Sequence, residues 1–231
     1  MTGTLTSVFL SVLAFVGGHF LLSWPRVRGR VVGAIGESAF SGAYSVLMVA
    51  FLVWMIAAYR VAPPLVLWDL GRWVNLVPVI AMPFALMLAV TGLASRNPTA
   101  VMGDRLLARG LPVNGIVTIT RHPFLCGAAL WALAHFLANG DAASAMLFGG
   151  LALLSIGGMF AIDAKRALKL GPVWNDFAAR TSKLPLGAAL AGRTKVDWVG
   201  VGVVRPMIGL ILYVVLFVAH DRLFGVPVIL G

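Results

Sequence analysis

Residues 121–166 read RHPFLCGAALWALAHFLANGDAASAMLFGGLALLSIGGMFAIDAKR. Two apolar runs, Phe124 to Ala138 and Ala142 to Ile162, are joined by Asn139-Gly140-Asp141 and closed at both ends by basic residues. A turn this short forces antiparallel neighbours, and an uncharged run of about 20 residues is what a helix needs to cross ~30 Å of hydrocarbon. Four further runs flank this hairpin: Leu5 to Leu22, Ala39 to Tyr59, Val74 to Ala94 and Val199 to Ala219. The reading is an all-α polytopic membrane bundle of about six transmembrane helices, residues 1–231 forming a single transmembrane domain. The run from Phe124 to Ala138 is the one that falls short of full length.

Charge fixes an expected orientation. Fifteen of the 18 Lys and Arg residues fall in loops on one side of this reading, Arg105 and Arg109 among them, and only Arg60, Arg72 and Arg222 on the other. The positive-inside rule puts the crowded side in the cytoplasm and both termini outside. A 60% hydrophobic, 11% charged chain with mean hydropathy +0.96 has too little polar surface to coat a water-soluble globule of its size. The net charge of +10 sits in short juxtamembrane loops, which matches anionic lipid and excludes a nucleic-acid face. The segment Met1 to Phe15 has no basic start and no Ala-x-Ala site follows it, so it is expected to be a retained span and not a cleaved signal.

Punctuation agrees with a bundle. Trp24-Pro25 closes the first span, and Pro63-Pro64, Trp68, Asp69, Arg72 and Trp73 form an interfacial loop after the second. Pro78 and Pro83 predict a kink in the third. Residues 163–205 are the longest polar segment, expected in the cytoplasm with room for extra helices. Cys126 is the only cysteine, so no intrachain disulfide exists, and it reads as a small buried apolar residue.

Chemistry has to come from four histidines and the basic side. An imidazole inside a span is costly without a partner, which singles out His19 and His135. They lie on oppositely directed helices, lean toward the midplane, and are roughly 12 Å apart in depth. Such a pair suits a shared metal, as in axial ligation of a haem iron; the alternative is that each hydrogen-bonds a neighbouring helix. His122 occupies the cap position before Pro123, where Arg121 and free helix amides make an anion site for a propionate, phosphate or carboxylate; the alternative is an ordinary interfacial cap. His220, beside Asp221 and Arg222, reads as solvated.

The run from Arg121 through His135 to Asp141 and Gly149 resembles the signature of the NnrU family. His19 followed by Ser23 and Arg26, the Trp68 loop, and Asp163-Ala-Lys-Arg fall in the same family order, so the likeness covers nearly the whole chain. It implies a multi-span bacterial inner-membrane protein, linked by family name to nitric oxide metabolism and denitrification; with the charge-based orientation above, the N-terminus is expected to be periplasmic. A relative of the family, cis-zeta-carotene isomerase, uses haem b. By that resemblance His19 and His135 stand at the matching histidine positions of a haem-binding protein and are expected to ligate the iron; the anion site at Arg121 and His122 is expected to bind the cofactor.

A second stretch points elsewhere. Arg121-His122-Pro123 with Gly127, then Leu170-Gly-Pro-Val-Trp-Asn-Asp-Phe-Ala-Ala-Arg180, is similar to the cytosolic motifs of isoprenylcysteine and phospholipid methyltransferases, which enclose S-adenosylmethionine. This chain has Ala167-Leu168-Lys169-Leu170 where those enzymes carry an acidic pair. Three functions are therefore expected to compete: a haem-b protein performing redox-linked isomerisation or electron transfer on an apolar membrane substrate, a cytoplasm-facing methyltransferase, and a non-enzymatic accessory factor for a respiratory enzyme.

Overall fold

The computed structural model describes residues 3–100, 103 and 113–228. Arg105 and Arg109, counted above on the basic side, lie outside the described residues. The bundle is built from α1 (Leu5–Ser23), α3 (Glu37–Arg60), α4 (Leu76–Ala94), α5 (Pro123–Ala138), α6 (Ala142–Leu170) and α10 (Val204–Phe224). Shorter helices α2 (Pro25–Ile35), α7 (Pro172–Arg180), α8 (Gly187–Leu190) and α9 (Trp198–Val201) decorate one end, which we call the basic end. Among the described residues the sole β pairing is an isolated bridge between Val66 and Asp141.

Among the described residues, five helices are long and apolar enough to cross a membrane: α1, α3, α4 with the 3₁₀ turn that leads into it, α6 and α10. Val46, Val53, Ile80, Phe84 and Val218 all point outward, a surface that only lipid tolerates on such a scale. This is a multi-pass membrane protein. The sixth apolar run forms α5, whose 16 residues reach ~24 Å. Pro123 fixes its first turn and the Asn139 turn its last, so neither end can extend.

Two boundaries differ from expectation. α6 does not stop at Ile162 but continues to Leu170, so its 29 residues span about 44 Å. Its last two turns carry Asp163, Lys165, Arg166 and Lys169, placed on a loop by the sequence reading. The stop is Gly171, at φ +54°, where glycine alone is comfortable, followed by Pro172 at the first position of α7. The last span begins at Val204 rather than Val199, because Gly202 at φ +69° ends α9 first. Arg205 thereby enters the first turn of α10, and His220 and Asp221 lie within that helix.

α4 packs on α5 and α10, and α6 packs on both α5 and α1. Where α5 crosses α4, Gly127 lets its backbone meet the Ala85 carbonyl, and any Cβ would collide with it. Val8, Val12 and Val16 of α1 join Met55, Ala58, Leu147 and Phe148 in the largest apolar cluster. Pro83 inside α4 has no N–H for the Val79 carbonyl, and Tyr213 of α10 compensates by donating its hydroxyl to that oxygen at 3.1 Å. An internal proline is thus converted into an interhelical tie.

At the end opposite the basic one, the loop after α3 clamps the α5–α6 turn. Leu67 and Trp68 amides both donate to the Gly140 carbonyl at 2.7 and 3.1 Å, and Ala142 donates to Leu65 at 2.8 Å. Asp141 caps α6 through the Ser144 amide at 2.9 Å. A Cβ on Gly140 would land on the Trp68 carbonyl oxygen. Gly140→Ala should therefore cost about 1–3 kcal/mol of stability, the usual penalty of forced overpacking. Thermal unfolding in detergent measures it; an unchanged midpoint would show that the loop does not grip the turn.

Candidate functional site

The segment before α5 has few ways to satisfy its backbone. After the 3₁₀ turn Gly115–Thr118 the chain runs along the stretch that follows α7. The Arg121 amide donates to Ser182 at 2.9 Å and Leu186 to Ile119 at 2.7 Å. The Thr120 hydroxyl donates to the Lys183 carbonyl at 2.8 Å. These bonds hold Arg121 and His122 facing α6, about two turns before its end, where Asp163 projects.

Asp163 is the hub. Its Oδ2 accepts from Arg121 Nη2 at 2.7 Å, Arg121 Nε at 3.1 Å and Lys183 Nζ at 2.8 Å. Its Oδ1 accepts from His122 Nε2 at 2.7 Å. The side chains are 13% exposed for Asp163, 9% for Arg121 and 1% for His122, so these three are almost wholly removed from water, while Lys183, 28% exposed, reaches the surface. Such a removal is tolerable only because each group is paired and hydrogen-bonded. Arg121 spends its remaining donor, Nη1, on the carbonyls of Thr181 at 3.1 Å and Ala178 at 3.3 Å.

The anion expected at Arg121 and His122 is thus present within the chain itself. The sequence reading named the cations and the cap but not Lys183 or Thr181, which lie 20 and 18 positions beyond Asp163 and meet Asp163 and Arg121 respectively only in the fold. It did place the stretch around Trp174 on the same side as Arg121, and the two meet: Trp174 and Phe177 pack on Ile116 and Val117.

Burial pushes the His122 imidazole below its ordinary range, outweighing the upward pull of the Asp163 carboxylate. The neutral ring that results donates Nε2–H to Asp163 and keeps a lone pair on Nδ1. Among the described residues that Nδ1 and the Thr91 hydroxyl are the two buried side-chain polar atoms without a hydrogen-bond partner. They lie at one junction, since Gly92 touches Pro123 and Phe124. Chemically this is a carboxylate-oriented histidine that presents an acceptor inside the protein. Nearby, Asp197 caps α9 and also accepts from the Gly115 amide at 2.8 Å, which with the Gly200 amide holds its carboxyl below the usual range.

The intramembrane histidines form a separate feature. His19 Nδ1 lies 2.8 Å from the Phe15 carbonyl and His135 Nδ1 lies 2.9 Å from the Trp131 carbonyl, four residues back in each helix. A carbonyl only accepts, so both Nδ1 atoms carry a proton, and in the neutral ring the lone pair is on Nε2. Each residue is half-buried. His19 packs against Phe15 and Tyr44 of α3, and His135 against Trp131 and Phe148 of α6. Along α6, Phe148 at His135 and Gly157, which meets Phe20 beside His19, are nine residues apart, about 14 Å. His220 donates to Val226 at 2.8 Å near the end of α10. Cys126 is buried and donates its thiol to the Lys183 carbonyl at 3.1 Å.

A family model described as NnrU protein matches residues 7–228. This chain belongs to the NnrU family. Among curated proteins, this NnrU chain is similar to the chloroplastic 15-cis-zeta-carotene isomerase of Arabidopsis thaliana, 35% identical over 79 residues, and to that of Zea mays, 33% identical over 81 residues. The matched segments are 34% and 35% of this chain and 22% of each relative, so the likeness spans about a fifth of those longer proteins. No solved structure matches it.

Two outcomes test the hub. Asp163→Asn leaves the buried Arg121 and the half-buried Lys183 without their carboxylate and should cost about 3–5 kcal/mol, as breaking a buried pair does. A loss below about 1 kcal/mol in chemical denaturation would show the charges to be effectively solvated. For His122, the unfolded imidazole titrates near pH ~6.5 and the folded one lower, so below that pH the unfolded state binds more protons. Its contribution is complete above the unfolded value and is lost as pH falls through it toward the folded value. Melting curves between pH 8 and about 5 should slope downward with acid, and His122→Gln should flatten that slope.

Proposed function

We propose that this NnrU-family protein binds haem b through His19 and His135 and acts on an apolar substrate within the bilayer by redox-linked isomerisation. The observation that supports this reading most is the common state of the two imidazoles. Each gives its Nδ1–H to a backbone carbonyl of its own helix, which fixes the ring and leaves Nε2 as a lone-pair donor. That is the form in which histidine ligates a metal, with the carbonyl serving as the partner that orients it. The residues therefore fit the group by donor chemistry. When bound, haem b supplies one-electron and Lewis-acid chemistry.

The chain does the rest. Phe15, Tyr44, Trp131 and Phe148 surround the two rings with aromatic surface, which keeps water away and gives an extended apolar substrate something to lie against. Entry from lipid needs no aqueous channel. The relatives named as 15-cis-zeta-carotene isomerases support an isomerase-type role, and a polyene is the substrate class in keeping with their name. On charge, we place the basic end in the cytoplasm and both termini outside, in a bacterial inner membrane.

The test is an absorption spectrum of the protein purified in detergent with haem available. One haem per chain with a Soret band is expected, and His19→Ala or His135→Ala should each bleach or shift it. Full retention in both variants removes the ligand assignment. Heat of binding for S-adenosylmethionine by calorimetry, with no Soret band, would replace this reading by methyl transfer at the Arg121 segment. Substoichiometric, exchangeable haem together with a co-purifying respiratory enzyme would make the protein an accessory factor in denitrification.

A further inference from the structure

A haem carries carboxylates on one edge and needs cations for them, and those singled out by the sequence, Arg121 and His122, are already held by Asp163. A second basic recess lies at the foot of the helix that carries His19. It is a cavity of about 400 Å³, open at the surface, and Ser23, Arg28 and Lys165 are among the residues that line it. Two routes tie it to the imidazole. Along α1, Ser23 follows His19 by four residues, so it lies on the same face, one turn or ~6 Å nearer the basic end. Across to α3 runs a ladder of contacts. The Arg28 guanidinium sits 4.7 Å from the Phe40 ring, Phe40 stacks on Tyr44 at 6.0 Å, and Tyr44 meets His19 edge-on at 5.8 Å.

We propose that this cavity takes the propionate carboxylates of the haem held by His19, with Lys165 as the cation that binds them. The inference rests on the haem reading and deepens it. Lys165 stands two residues beyond Asp163 on the extension of α6, roughly 200° around the helix from the hub. It is half-buried, and the charged groups that act on it are Arg28 and Arg166, both cations. Among the described residues no carboxylate is bonded to it. An ammonium partly withdrawn from water beside like charge is stabilised by an anion brought to it. Arg28 is different, because Glu37 pairs with it and Phe40 lies under it. It shapes a fixed wall, and Lys165 supplies the charge.

The chemistry of the porphyrin matches this split between ring and recess. Its disc is apolar and its two carboxylates share one edge, so inside a membrane the disc belongs among apolar side chains and that edge beside polar ones. Around His19, Phe15 and Tyr44 meet the first need; one turn away, where α1 ends and α6 leaves its apolar run, the cavity meets the second. Val32 and Leu168 flank the recess with apolar surface, which keeps the local dielectric low and strengthens an ion pair formed there. His19 and Lys165 would then act on different parts of one molecule, the metal and the carboxylates. Removing either part separates their roles.

The experiment titrates the detergent-purified full chain with iron protoporphyrin IX and with its dimethyl ester, following the Soret band. The ester keeps the iron and the ring and lacks both negative charges. The free acid should bind about tenfold more tightly than the ester, the margin of a hydrogen bond to a charged group. Lys165→Gln should erase that preference and leave the Soret position unchanged, and Lys165→Arg should restore it. His19→Ala should instead bleach or shift the band with both porphyrins. Equal affinity of the unaltered chain for acid and ester overturns the carboxylate site and leaves the haem reading standing, whereas a Soret band from neither porphyrin overturns the haem reading itself. Arg26→Gln removes an exposed cation of α2 outside the cavity and should keep the preference; an equal loss there would mean diffuse surface charge and overturn the site. A rise in melting temperature with dioleoyl-phosphatidylglycerol that Lys165→Gln removes would give the recess to a lipid phosphate in place of the propionates.

Discussion

One carboxylate organises the basic end. Asp163 takes hydrogen bonds from Arg121, His122 and Lys183, and through them three stretches far apart in sequence become one body. The start of α5 is tied to the end of α6, and the segment after α7 is tied to both. Apolar contacts cannot do this in a membrane, where lipid is as good a partner for leucine as another helix is. Directional, charge-assisted bonds are what specify the arrangement. The opposite end uses backbone for the same purpose, with the Trp68 loop bonded to the Asn139 turn. The α5–α6 hairpin is therefore pinned at both extremities.

Between those pins, packing follows the rules of lipid. Gly127 brings two backbones together, and Tyr213 repays the hydrogen bond that Pro83 removes from α4. The proline is tolerated because a neighbouring helix supplies a donor where no water is present. His19 and His135 solve the same problem locally by bonding the carbonyls one turn back. This is why two imidazoles sit inside apolar helices without ion pairs, and why each retains an unused ring nitrogen.

Much of the bundle was legible in the sequence, because a run of apolar residues long enough to cross lipid has few other uses. The Asn139-Gly140-Asp141 turn and the Trp24-Pro25 break also declared themselves through local chemistry. The end of α6 was misread because Asp163, Lys165 and Arg166 were taken as loop charges, although Ala-Lys-Arg-Ala-Leu-Lys is a strong helix-forming series and Gly171-Pro172 is the real stop. Val199 was drawn into the last span by hydropathy alone, and the backbone turn at Gly202 was overlooked. The hub was half visible. Arg121 and His122 stood out as an anion-seeking pair, but no local pattern pairs them with Asp163 or Lys183. Nor does any pattern reveal which ring nitrogen a histidine keeps free.

The unequal arms of the hairpin carry a mechanical consequence. α5 reaches only ~24 Å between its proline start and its turn, against ~30 Å of hydrocarbon, and α6 beside it is longer than the bilayer. With the turn held at one surface, the foot of α5 ends about 6 Å short of the other. A shortfall of that size is met by thinning of the bilayer or by flanking side chains reaching to the interface. Arg121, His122 and Asp163 stand at that foot, so membrane thickness itself becomes a variable that loads or relaxes this ionic knot.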